Sequence, residues 1–379
     1  MPGAIASLYR RLFPRAETST ETLDAIAASP RFYPTELKLE DHPPAISFVE
    51  VGQDTYRRSS FLDHRMHREP KQKTLLCDAR GLLDRYRGAP ESHVGFIFHI
   101  AYCCSTLLAR YLELLPGTFV LKEPFIPTQL AELNRVPWPS ESGFDSKDAT
   151  RLSVHLMART FDPHDRVVAK LADQCNAIAG ALMAASMPSP EARRAVFLGL
   201  ELRSFLLAGL KTDQRRAWVR RRAELAAQDV APSLLTDTDP KTLDDARACA
   251  YLWLAHGVLL QKLIAEVGPD RILVVDGESI SDNPDHAVRE IAEWLGLSPS
   301  DSGLRTAIGD QTAGRYSKDP SQEFSREHRQ ADLAAVYAKF GSEVESGLRW
   351  AGELAPRLGL DPASGTMLSL PLPHGHGSE

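Results

Sequence analysis

The stretch that limits the fold most is His93 to Leu108, HVGFIFHIAYCCSTLL. Val94 to Ile100 is a nearly continuous apolar run of strand length, the pattern of a strand covered on both faces inside a parallel sheet. Ser105 and Thr106 then stand where helix-capping residues are expected, and LLARYLELL follows them at helical spacing. A helix that starts there turns unpaired backbone N–H groups and its positive dipole end toward the preceding loop, where an anion can sit. The loop itself, Ala101-Tyr102-Cys103-Cys104, lacks both the glycines and the lysine of the common phosphate-binding sequence GxxxxGK[ST].

Four more strand-like segments follow: Gly117 to Phe125, Asp165 to Lys170, Arg194 to Leu200 and Arg271 to Ser279. Strands alternating with helical patterns predict an α/β fold, a parallel sheet of about five strands with helices on both faces. Residues 1–92 read as an N-terminal extension packing on this core. Within it, Ile46 to Gly52 is expected to add a strand or hairpin arm to the sheet edge, and Asp54 to Arg68 to form a solvated helix. The core runs over 93–300, and its longest helical pattern, Leu243 to Val267, carries the apolar stripe Trp253, Leu254, Val258, Leu259 and Leu263. Residues 301–379 read as a loop, a long helix from Arg326 to about Trp350, and a Pro/Gly/His-rich tail whose last ~15 residues are expected to be disordered.

Composition narrows the function classes. The 379 residues are 43% hydrophobic and 25% charged with a net charge of −6, which argues against a nucleic-acid binder. No apolar run reaches the roughly 18 residues of a membrane span, and the N-terminus lacks the apolar core of a signal peptide, so the expected location is cytoplasmic. Five scattered cysteines suit a reducing compartment. The adjacent Cys103 and Cys104 have no CxxC or clustered histidine partner and read as small loop residues; no metal is expected.

Charged residues gather where strands end. Lys122-Glu123-Pro124 closes the second strand and Lys170 the third, on the crevice side of an open α/β sheet. Asn134 to Lys147 is a Pro/Ser/Gly-rich loop of the kind that forms lids or acceptor sites. Thr212 to Gln228 is rich in arginine and reads as a solvated helix or as a lid over an anionic donor.

The order in this chain of strand, small-residue loop, Ser105-Thr106 and apolar helix resembles the 5′-phosphosulfate loop of the P-loop sulfotransferase family. Lys122-Glu123-Pro124 after the second strand and the late Gly/Ser/Lys loop at Thr312 to Pro320 are similar to family features as well. The resemblance covers roughly residues 93–350, by order of elements more than by motif. It implies a sulfuryl transfer from 3′-phosphoadenosine 5′-phosphosulfate to a hydroxyl or amine of a small molecule. Tyr102, Cys103, Cys104, Ser105 and Thr106 would hold the donor, Lys122 would help to stabilise charge, and Glu123 would act as base. The sequence also departs from the family. Tyr102 stands where the family has Lys or Arg, Cys104 where it has Gly, Leu200 where an arginine grips the 3′-phosphate and Ala208 where a serine completes that grip. Arg203, Arg315, Ser317 and Lys318 are the candidates to replace it. Two other classes stay open: a P-loop small-molecule kinase, and a protein of the same shape that has lost donor binding and acts as a binding or scaffold partner.

Overall fold

The computed structural model describes residues 18–41, 43–66, 73–88, 93–139, 143–186, 194–231, 235, 237–310 and 326–369. The N-terminal part contains α1 (Thr20–Ala28), β1 (Phe32–Lys38), β2 (Ala45–Glu50), α2 (Gln53–Arg58), β3 (Thr74–Asp78) and α3 (Ala79–Arg85). Next come β4 (Val94–His99), α4 (Ser105–Glu113), β5 (Thr118–Lys122), α5 (Phe125–Leu133), α6 (Ser146–Met157) and β6 (Arg166–Lys170), then a 3₁₀ turn (Asp173–Ile178). They are followed by α7 (Ala179–Ser186), β7 (Ala195–Gly199), α8 (Leu202–Leu210), α9 (Asp213–Asp229), α10 (Asp245–Val267) and β8 (Ile272–Asp276). The described chain closes with α11 (Ser279–Asp282), α12 (Pro284–Trp294), α13 (Asp301–Gly309) and α14 (Arg326–Leu354).

All five expected strands form, and they make one parallel sheet in the order β5-β6-β4-β7-β8. The strand before the loop is therefore the middle one, paired with β6 on one side (Val94 with Val167) and β7 on the other (His99 with Leu198). Chain order reverses across β4, and the carboxyl ends of strands at such a switch point open the crevice where ligands bind in open α/β sheets. Strands β4 to β7 are buried along nearly their whole length because helices cover both faces, whereas the edge strand β8 is only partly buried. Helix α10 is long and apolar enough to cross a membrane, yet most of it is buried against the rest of the fold. Trp253, Leu254, Leu259 and Leu263 lie in the core, and the Trp253 indole donates to the Leu200 carbonyl at 2.7 Å.

Ile46 to Gly52 does not join the edge of the parallel sheet. Its strand, β2, is the centre of a separate three-stranded antiparallel sheet, order β1-β2-β3, so both its edges are already taken. β1 contains Pro34, and its register shifts between Pro34 and Glu36, which disguised it as a loop in the sequence. The helix expected over Asp54 to Arg68 stops at Arg58; residues 59–66 run on as an irregular strap against the end of β5, where Leu62 N–H donates to the Lys122 carbonyl at 2.6 Å. At the other end, residues 365–369 of the expected disordered tail pack, with Met367 fully buried.

A second apolar cluster joins the N-terminal part to the core. Leu23, Ile26, Leu37, Ile46 and Phe48 pack with Ile126, Leu130, Phe144, Leu152 and Leu156. Beside it, buried Arg159 donates to the carbonyls of Ile26 (2.6 Å), Ser29 (2.9 Å), Phe32 (2.9 Å) and Leu156 (2.8 Å). Arg159→Met leaves those carbonyls without their donor, and we expect a loss of about 3 kcal/mol of stability. Hydrogen exchange should show protection falling over residues 20–38 more than over β4 and β7; uniform loss would contradict the assignment of Arg159 as the local tie.

Candidate functional site at the crest of the parallel sheet

The loop after β4 is built on two left-handed residues, Tyr102 (φ 67°) and Cys104 (φ 57°). Neither is glycine, and left-handed backbone at such residues costs about 1 kcal/mol or more each, a strain that collects at binding sites. The turn at Cys104 makes that residue the N-cap, so Ser105 and Thr106 are the first helical residues rather than caps, and the Cys104 side chain makes no capping hydrogen bond. The first-turn N–H groups of α4 therefore keep no partner within their own helix. Ser105 is buried, and its N–H and hydroxyl lean on the Cys103 sulfur. That thiol donates to the Ile100 carbonyl at 2.8 Å, and burial pushes its pKa up to about 12, so Cys103 fills the turn as a neutral small residue.

The loop is walled by four later elements, the end of β8 and helices α8, α9 and α14. Gly277, at the end of β8, comes so close that a Cβ there would lie 2.4 Å from the Cys103 carbonyl oxygen, which explains the glycine. The Tyr102 ring packs against Phe205 of α8 and Trp218 of α9, with the Arg215 guanidinium 4.9 Å above it. Arg329 in the first turns of α14 brings its guanidinium to 3.5 Å from the Tyr102 carbonyl and 2.9 Å from the Glu278 carboxylate.

Lys122 is not beside the loop. Its side chain is buried and its ammonium binds both Glu113 oxygens (2.6 and 2.8 Å) and the Arg57 carbonyl (3.1 Å). Glu113 is the last residue of α4, about 12 Å along the helix from Ser105. Burial pushes Lys122 down and Glu113 up, and each offsets the other's cost. The expectation that Lys122 stabilises charge at the loop is corrected to a structural ion pair.

Glu123 does reach the crest. It is left-handed (φ 52°), its N–H donates to the Lys170 carbonyl at 2.7 Å, and its carboxylate bridges the buried Lys170 ammonium and the half-exposed Arg65 guanidinium (3.1 Å). Arg65 comes from the strap 59–66, lies 3.7 Å over the Phe61 ring and also pairs with Asp63. Sequence reasoning missed Arg65 because a strap has no periodic signal.

Behind Lys170, polar residues fill the space between the sheet and α10. Asn176 donates to the His99 carbonyl and approaches His256 Nδ1, both at 3.0 Å, and His256 Nε2 lies 3.6 Å from Asp173. Burial alone would raise the Asp173 pKa, but Arg222 and His256 hold it well below the usual carboxylate range. His99 bonds the Ile100 carbonyl through Nδ1, while its buried Nε2 has no partner among the described residues.

The remaining candidates divide. Arg203 pairs with Glu345 at 2.8 Å and lies over the Tyr337 ring. Arg315, Ser317 and Lys318 lie outside the described residues. Leu200 and Ala208 are both buried and apolar, so neither can grip a phosphate. The arginine-rich α9 is neither a lid nor freely solvated: Arg216 and Arg220 pair with Asp245, and buried Arg222 with Asp173. Two described residues of Asn134 to Lys147 are tied to the fold. Arg135 is locked to Asp229 at 2.7 Å, and Trp138 donates to the carbonyl of buried Phe144 at 2.7 Å.

No protein-family model and no curated protein matches the sequence. Among solved structures the chain is similar to a sulfotransferase from Alicyclobacillus acidocaldarius, with 16% identity over 68% of this chain and 96% of that one and a TM-score of 0.34. Sulfotransferase STF9 from Mycobacterium avium gives 10% identity, 69% and 81% coverage and a TM-score of 0.37. The sulfotransferase domain of the Synechococcus PCC 7002 olefin synthase gives 16%, 65%, 94% and 0.35. These low scores describe a likeness of general layout.

Burial, and then the charge of Lys170, lower the His99 pKa to about 4 from its ordinary 6.5. Between those values the unfolded chain takes up a proton that the folded chain refuses, so His99 makes stability fall as pH drops from about 6.5 to 4, by up to ~3 kcal/mol. Urea unfolding across this range should show a steeper loss in wild type than in His99→Gln; equal slopes would contradict the burial of a neutral His99.

Proposed function

We propose that this chain is a sulfotransferase-like group transferase that moves a sulfuryl group from 3′-phosphoadenosine 5′-phosphosulfate to a hydroxyl or amine of a small molecule. The observation that carries the reading is the loop Ala101 to Thr106: a turn with two left-handed residues, on the central strand at the switch point, opening into a helix whose N-cap side chain makes no capping hydrogen bond. N–H groups of that first turn and the hydroxyl of half-buried Thr106 suit the phosphosulfate end of the donor.

Glu123 suits the role of base. The acceptor oxygen or nitrogen attacks sulfur in line, the bond from sulfur to the bridging phosphate oxygen breaks, and the acceptor proton goes to a Glu123 carboxylate oxygen. Lys170 is buried and holds one carboxylate oxygen, whereas Arg65 on the other is 43% exposed and can yield its place. A second reading is favoured by buried, apolar Leu200 and Ala208: a protein of this shape that binds a partner or a scaffold without the donor.

Calorimetric titration of the full chain with adenosine 3′,5′-bisphosphate and adenosine 5′-phosphate separates the two. The transferase reading expects a preference for the bisphosphate; equal or absent binding would move the chain to the second reading. Once an acceptor is found by screening, Glu123→Gln should lower kcat by about 100-fold or more while leaving bisphosphate affinity near wild type.

A further inference from the structure

The loop has no cation of its own, yet two arginines converge on it from distant parts of the sequence. Both approach Tyr102, the residue that stands where a basic side chain is absent: Arg329 reaches its carbonyl, and Arg215 covers its ring while donating to the Ala208 carbonyl at 2.8 Å. We propose that Arg329 and Arg215 form the cationic seat for an anionic ligand at this loop, a phosphorylated or sulfated nucleotide, in place of a loop lysine or arginine. This rests on the transferase reading and adds to it the residues that hold the donor's charge.

Arg329 carries the argument furthest. Its side chain is only 15% exposed, and its guanidinium offers five donors. Glu278 takes one at 2.9 Å, the Tyr102 carbonyl shares two terminal nitrogens at 3.5 Å, the outer limit of a hydrogen bond, and the buried Nε has no partner among the described residues. A buried donor left unmade is costly, and a guanidinium matches a phosphate or sulfate through two parallel bonds. The geometry is that of a fork held near its ligand position by one carboxylate. Glu278 is then the ligand's competitor: a dianionic group draws Arg329 from a single carboxylate.

Arg215 is fixed differently. The ring of Tyr102 lies between Arg215, Phe205 and Trp218, so the guanidinium is stacked on an aromatic wall of the loop. This explains why a tyrosine is acceptable at position 102. It carries no charge, but it supports one.

The test titrates the full chain with adenosine 3′,5′-bisphosphate and with inorganic sulfate, in wild type, Arg329→Ala, Arg329→Lys, Arg215→Ala and Glu278→Gln, with thermal unfolding as a folding control. Removing Arg329 should weaken bisphosphate binding by about tenfold or more, lysine should restore part of it, and Arg215→Ala should weaken it by about three- to tenfold. Glu278→Gln should tighten binding, an effect that a merely structural Arg329–Glu278 pair would not produce, and it remains readable if Arg329→Ala fails to fold. Wild type that binds while both arginine variants and Glu278→Gln bind alike overturns the proposal and leaves the transferase reading standing. Wild type that binds neither anion overturns both.

Discussion

Two buried lysines end neighbouring strands of the parallel sheet, and the need to pair each ammonium arranges much around them. Lys122 and Lys170 are register partners on β5 and β6, and each side chain is only 2% exposed. An unpaired ammonium there would cost several kcal/mol, so each must find a carboxylate. Lys122 finds Glu113 at the far end of α4 and fixes that helix against the sheet. Lys170 finds Glu123, and the left-handed backbone at Glu123 turns its carboxylate back over the strand end to meet it. The same bend leaves a carboxylate oxygen to Arg65 and to the crevice. A structural requirement thus brings a carboxylate back over the strand end.

The parallel sheet was legible because most of its strands are buried on both faces and read as continuous apolar runs, although the second and fifth end at Lys122 and Asp276 rather than at Phe125 and Ser279. The antiparallel sheet of the N-terminal part was not: β1 carries a proline and a register shift, and in β3 the adjacent Thr74 and Leu75 are both exposed, which blurs its alternation. The positions of the loop after β4 and of Glu123 after β5 were legible from the strand ends. Lys122 was misassigned because a strand-end lysine looks the same in sequence whether it turns to the crevice or to a helix beneath; only the presence of Glu113 on α4 decides, and that pairing spans the fold. Arg65 and Arg329 were missed for the reverse reason. One lies in an irregular strap and the other in a polar helix start, and nothing local marks either as near the crest.

Among the described residues, the arginines packed against the loop come from α9 and α14 rather than from the loop. A loop free of lysine is chemically compatible with anion binding when backbone N–H groups do the close contact and charge is supplied from outside. The acids at the ends of β7 and β8 set the opposite limit. Glu201 and Asp276 both have raised pKa values, first through burial, and Asp276 also through its neighbours Glu278 and Asp282, so this side of the crevice disfavours further negative charge.

The most direct measurement is a crystal structure of the full chain grown with adenosine 3′,5′-bisphosphate. The account predicts the 5′-phosphate within hydrogen-bond distance of the backbone N–H groups at the start of α4, with Arg329 turned from Glu278 toward it. A bisphosphate bound elsewhere, or a loop unchanged and closed by Arg329 at saturating ligand, would contradict the claim that Ala101 to Thr106 is an anion seat.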